Sequence, residues 1–198
     1  MISALTRIES LTRCVPLAGT AHSGDAAVVI DRGDDVILAL IDATGRSAEA
    51  EAAVRVVEGV VRRQADNHPA SVFEPAHRAL GGGGGVSLGI VRIDPDRGEL
   101  QFAGIGSVYG FVAGDVPAVL TSEPGTVGLG LPKVPTVRTL PWPRGGALAL
   151  AADGVVDVWE LAALWRHRHS PLESMIERIA GGLGRLPEDA SVILARAR

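Results

Sequence analysis

Four acidic positions stand at the ends of apolar runs in this 198-residue chain. Asp25 heads AAVVI in HSGD, and Asp42 ends VILALI. Asp153 follows ALALAA in AADG, and the pair Glu188 and Asp189 precedes SVIL in PEDASVIL. A carboxylate at the end of a buried strand is costly to desolvate unless something pairs with it. Carboxylates gathered at one place repel each other and titrate abnormally until a cation neutralises them. Hard oxygen ligands without His or Cys select Mg2+ or Mn2+. Two such ions about 4 Å apart clamp a phosphate and acidify a bridging water into a nucleophile at neutral pH. Taken singly, each acid is an ordinary turn or cap residue, so the chemistry rests on the set. Strand order alone does not gather them. The head of one hairpin strand and the tail of the next are expected at opposite ends unless a third strand intervenes.

Other features with suggestive spacing lead elsewhere. The run GGGGG at Gly81–Gly85 is followed by Val86 and Ser87, without Lys-Ser/Thr or a helix, so it is not a P-loop. In GIGSVYG the third glycine, Gly110, stands one place too late for a dinucleotide fingerprint, and the segment leads from strand to strand. Both read as turns or close backbone approaches. His167 and His169 have no Cys or third His at ligand spacing and read as a basic face near a helix end. His22, beside SGD, reads as structural, and no nucleophile elbow is expected. Cys14 is the single cysteine, which excludes an internal disulfide framework and a Cys-cluster metal site. It also fails as a C-x5-R nucleophile, because Thr20 stands where arginine must.

The elements that must hold the acids follow from apolar content and β-branching. Strands are expected at Ala26–Ile30 and Val36–Ile41 around DRGDD, and at Val86–Ile93 and Glu99–Ile105 around DPDRG. Another, Ala147–Ala151, follows PWPRGG. Shorter ones fall at Tyr109–Val112, Val116–Leu120, Thr136–Leu140 and Ser191–Ala195, with Leu5–Val15 as an edge strand. Ala48–Arg63 carries Ala50, Val54, Val57 and Val61 on one helical stripe, Ser47 as N-cap, and Glu51–Arg55 and Glu58–Arg62 on the opposite side. Ser71–Leu80 is a weaker helix because of Pro75. Pro171–Leu183 and the shorter Asp157–Arg166 complete the helices. Strands, two helices, a long run of strands, then helices and a last strand make an α+β domain with mainly antiparallel sheets.

Composition sets the outer bounds. At 46% hydrophobic and 21% charged, the chain reads as one globular domain over residues 1–198. A net charge of −4 with scattered basic residues argues against a nucleic-acid binder. No run approaches the ~20 apolar residues of a membrane span, and the N-terminus has no signal-peptide core. A cytoplasmic protein without membrane association is expected.

The signatures S-G-D, apolar strand–D-x-x-G, apolar strand–x-D-G and acidic-acidic-x-[ST] before a terminal strand occur in that order. Together they resemble the PP2C-type metal-dependent serine/threonine phosphatases, in the bacterial SpoIIE-like branch. Within it the size is similar to that of the stressosome feedback phosphatases (RsbX-type). The resemblance runs from about Thr20 to Arg198 and implies a four-layer α-β-β-α sandwich of two mainly antiparallel sheets. It implies two divalent cations, Mn2+ or Mg2+, and hydrolysis of phosphoserine or phosphothreonine by a metal-bridging hydroxide, without a phosphoenzyme.

Carried onto this chain, the resemblance makes Asp25 a ligand of one metal. Asp42 bridges both metals and the nucleophilic water, and the backbone carbonyl of Ala43 stands in for the usual glycine carbonyl. Asp153 binds the other metal, with Glu188 or Asp189 as the last ligand, and Gly24, Gly45 and Gly154 shape the turns. The second motif reads D-A-T-G-R from Asp42 to Arg46, where the family commonly has D-G-x-G-H. The implied partners are phosphorylated STAS-domain proteins of a stressosome-like complex. The alternative is a catalytically weak PP2C-like module that binds a partner as a regulator.

Overall fold

The computed structural model describes residues 8–16, 19, 22–64, 68–131, 135–153, 155, 164–167, 169–180 and 189–198. Among the described residues, ten strands form two antiparallel five-stranded sheets. The first has the order β2 (Asp25–Asp31), β3 (Val36–Ala43), β4 (Val86–Asp94), β5 (Glu99–Ile105) and β8 (Arg138–Pro141). The second has the order β1 (Ile8–Val15), β10 (Ala190–Ala197), β9 (Ala147–Ala151), β6 (Tyr109–Ala113) and β7 (Ala118–Thr121). The expected edge strand at the N-terminus is therefore an edge strand, and the chain is α+β.

The uninterrupted apolar run of β3 has a simple cause. Side chains alternate between faces along a strand, and both faces of this one are covered. Ile37, Ala39, Ile41 and Ala43 pack with Val54, Val57, Val61 and Phe73 on the helix side. Val36, Leu38 and Leu40 pack between the sheets with Leu148, Leu150 and Ile193. In the other sheet, Ala149, Val192 and Leu194 face a third core that includes Leu172, Met175 and Ile176. The layers are thus helix, sheet, sheet, helix, as expected.

Helix α1 (Ala48–Arg63) has the expected bounds, and Ser47 Oγ accepts from the Ala50 N–H at 3.3 Å. The second helical region is a 3-10 turn, Pro69–Val72, leading into α2 (Phe73–Leu80). Pro75 fits because it lies in the first turn of α2, where an N–H has no helical acceptor. A further described helix, α3, spans Leu172–Ala180, and residues 181–183 of its expected range lie outside the described residues. Of the helix expected at Asp157–Arg166, residues 157–163 lie outside them too, and the remainder belongs to a 3-10 turn, Leu164–His167. Among the described residues, no helix is long and apolar enough to cross a membrane.

Candidate metal centre

Asp25 and Asp42 are direct cross-strand partners in the β2–β3 hairpin. The expectation that a strand head and the next strand tail lie apart is overturned. Antiparallel strands run in opposite directions, so the start of one sits beside the end of the next. On its other side Asp42 faces Ser87 of β4. The second sheet delivers the remaining acids. Asp153 follows the end of β9, and Asp189 precedes β10, which pairs with β9 from Val192 and Ala151 onward. A further bond from the Ala152 N–H to the Ser191 carbonyl, 3.1 Å, keeps these two strand ends together. Asp42, Asp153 and Asp189 line one open cleft of about 320 Å³, together with Ala43, Gly45 and Arg46. Ser87 and Ser107 complete its polar wall.

The charges are not compensated evenly. Asp35, buried at the far end of the same hairpin, pairs with Arg32 at 3.0 Å and Arg92 at 2.5 Å. No such ion pair reaches Asp25 or Asp42 among the described residues. Burial, then the charges of Asp25 and Asp153, pushes the Asp42 carboxyl up to about 8, against the pull of the Ser107 hydroxyl. Burial also pushes Asp25 up to about 6, the charges of Asp189 and Asp153 adding to it while Ser191 and Asp42 draw it down. Asp25 Oδ2 and Ser191 Oγ are buried without a well-formed hydrogen bond. Orphaned, mutually repelling carboxylate oxygens suit a hard divalent cation. Among the described residues, no three His, Cys, Asp or Glu side chains yet form a cage around one point.

Two serines hold Asp42. Ser107 Oγ donates to Asp42 Oδ2 at 3.0 Å. The Ser107 N–H donates to Ser87 Oγ at 3.1 Å, and the two hydroxyls are 3.0 Å apart. Gly106 makes this contact possible: its φ is +91°, and a Cβ there would stand 2.4 Å from Ser87 Oγ. Sequence reasoning missed both serines. The signal for Ser87 was its register opposite Asp42; nothing local marks Ser107. A G-x-S-x-G string occurs at Gly85–Gly89 around Ser87. Ser87 lies within strand β4 rather than at a strand-to-helix turn, so it is no nucleophile elbow.

Gly24 ties the sheets together. Its N–H donates to Asp189 Oδ2 at 2.8 Å, and its carbonyl accepts from the Ala43 N–H at 2.7 Å. A Cβ on Gly24 would lie 2.6 Å from the Gly45 carbonyl oxygen and 3.2 Å from that of Ala43. Gly24→Ala is therefore expected to push these carbonyls away while leaving the cores intact. Mn2+ affinity should fall roughly 10- to 100-fold, the range for losing a residue that supports metal ligands. A Mn2+ titration alongside a thermal melt checks it; unchanged affinity would show that the carbonyl cradle plays no part.

Of the residues expected at the site, Asp42, Ala43, Gly45, Asp153 and Asp189 share the cleft, with Gly24 and Asp25 beside it. Glu188 and Gly154 lie outside the described residues. His22 binds Glu51 of α1, Nδ1 to Oε2 at 2.5 Å, which fits a structural role. Arg46, which ends the second motif, lines the cleft, and its Nε donates to Asp189 Oδ1 at 3.2 Å.

The family model for stage II sporulation protein E (SpoIIE) matches residues 32–198. No curated protein matches the chain in sequence. Among solved structures, one described as "The bacterial stressosome: a modular system that has been adapted to control secondary messenger signaling" is 23% identical, with a TM-score of 0.86. The likeness covers 96% of this chain and 98% of that one. RsbX in complex with magnesium is 16% identical, with a TM-score of 0.85 and 96% of both chains covered. The catalytic domain of the serine threonine protein phosphatase PstP, in complex with two manganese ions, is 17% identical with a TM-score of 0.73. There the coverage is 96% of this chain and 97% of that one. At these identities the likeness is one of fold.

Proposed function

Because the chain belongs to the SpoIIE family, we propose that it is a divalent-cation-dependent protein phosphatase acting on phosphoserine or phosphothreonine. The observation that carries this is the Asp25–Asp42 register pair, with a buried, unpartnered Asp25 oxygen beside the open acidic cleft. Asp25, Asp42, the Ala43 carbonyl and Asp153 would hold two cations, Mn2+ or Mg2+, with the last ligand from Glu188 or Asp189. Cations held there supply positive charge to the phosphoryl oxygens and lower the pKa of water at the site.

The chain's own contribution is positioning. Strands β2 and β3 fix the backbone of Asp25 and Asp42, and Ser107 fixes the Asp42 carboxylate through Oδ2. Water attacks phosphorus in line, the bond from phosphorus to the serine or threonine oxygen breaks, a proton originating from the water ends on that oxygen to give the free hydroxyl, and inorganic phosphate leaves. An open cleft with an exposed Asp153 suits a phosphate borne on another protein's surface. Resemblance to small stressosome phosphatases, and the neighbours named for RsbX and the stressosome, favour phosphorylated STAS-domain proteins as substrates.

A second reading has one observation in its favour. Both Asp189 oxygens already accept protein hydrogen bonds, which suits a catalytically weak module that binds a partner. Hydrolysis of p-nitrophenyl phosphate separates the two. Turnover is expected with Mn2+ and none with EDTA. Turnover indifferent to both overturns the proposal; Mn2+ bound without turnover on the aryl ester or any phosphoprotein favours the binding module.

A further inference from the structure

We infer that Arg46 is a built-in cation that competes with a divalent ion for Asp189, so that the two ions of this site bind with unequal affinity. The inference rests on the cation-site reading above and concerns how that site is filled. Asp189 is 7% exposed, and both of its oxygens are engaged by protein donors. Oδ2 accepts from the Gly24 N–H at 2.8 Å and Oδ1 from Arg46 Nε at 3.2 Å. A guanidinium is always charged and meets a carboxylate in a fixed planar geometry, so this side of the cleft carries its own counter-charge. Arg46 is also the only cationic side chain lining the cleft among the described residues.

The other side is different. Asp25 Oδ2 is buried and unpartnered, and nearby Ser191 Oγ, on a residue 0% exposed, has no well-formed hydrogen bond either. Asp42 has one hydroxyl on Oδ2 and no arginine. A divalent ion entering between Asp25 and Asp42 meets uncompensated carboxylates and displaces no cation. An ion entering between Asp153 and Asp189 must take an Asp189 oxygen from a protein donor. Gly24 cannot yield without disturbing the turn into β2, because its carbonyl is bonded to Ala43. Arg46 is the donor that can turn aside, its side chain being 30% exposed. Until it turns away, its charge also repels the incoming ion. The first ion therefore binds tightly on the Asp25–Asp42 side, and the second binds weakly on the Asp153–Asp189 side.

The test counts ions rather than turnover. The full chain is titrated with Mn2+, and the free aquo ion is followed by electron paramagnetic resonance. Wild type is expected to take one ion tightly and a second at least about tenfold more weakly, the scale on which ligand-supporting residues act. In Arg46→Gln the second ion should tighten to within about threefold of the first, whose own affinity stays within about twofold. Arg46→Lys keeps the charge without the planar fork and should fall between, which guards against misfolding of the glutamine variant; thermal melts accompany all three. Two ions of equal affinity in wild type, or an unchanged gap in Arg46→Gln, overturn the inference alone. No Mn2+ retained by any of the proteins overturns the cation-site reading and this inference with it.

Discussion

Asp42→Asn is expected to lower Mn2+-dependent turnover by roughly 10³-fold or more, while raising the melting temperature of the metal-free protein. The first effect follows from what the carboxylate does for a cation: metal charge stabilisation is worth several kcal/mol, and each ~1.4 kcal/mol is tenfold in rate. The second follows from its surroundings. Burial and the charges of Asp25 and Asp153 make the ionised form of Asp42 costly when no cation is present. Asparagine has the same shape, keeps an oxygen that can accept from Ser107, and removes the repulsion. Activity and metal-free stability should therefore move in opposite directions, as at sites where function is held against stability. Hydrolysis of p-nitrophenyl phosphate and a melt in EDTA read the two effects. A variant that loses stability in EDTA would mark Asp42 as a structural residue.

The second large effect couples pH to the cation. In the folded, metal-free chain Asp25 and Asp42 are pushed up to about 6 and about 8, above the ordinary carboxylate values they have when unfolded. Between about pH 4 and 8 the folded state thus holds more protons at this pair than the unfolded state does. The pair's contribution to stability is full below about pH 4 and is lost as the pH rises through about 6 and then about 8. Mn2+ needs the deprotonated carboxylates, so its effect has the opposite slope. At a thousand times its dissociation constant, a ligand stabilises by about 4 kcal/mol, or roughly 8–16 °C for a domain of this size. Melts with EDTA should fall from pH 5.5 to pH 8.5, and the gain from Mn2+ should widen over the same range. A gain of equal size at both pH values would exclude these carboxylates as its source.

Much of the scaffold was legible because it is encoded locally. The stripe of Ala50, Val54, Val57 and Val61 repeats at the helical period, and Ser47 lies three residues from the N–H it caps, so α1 could be bounded to the residue. The strands Glu99–Ile105 and Ala147–Ala151 were bounded as well, each starting directly after a turn rich in Gly or Pro. Helix α2 was harder, since Pro75 is permitted only by its place in the first turn, which depends on where the helix starts.

The site was legible only as a set of residue types in order. The sequence by itself determined that acids stand at the ends of apolar strands with small residues beside them, the arrangement a hard cation requires. Periodicity reports which face of an element is buried, but not which elements abut. Only the tertiary structure brought Ser107 to Asp42 across 65 residues and Asp189 to Gly24 across 165. It also decided that Asp189 is compensated by Arg46 while Asp25 is not. That difference depends on the few ångströms between side-chain atoms from separate sheets. Such distances are set by how the two sheets pack, which no local pattern records.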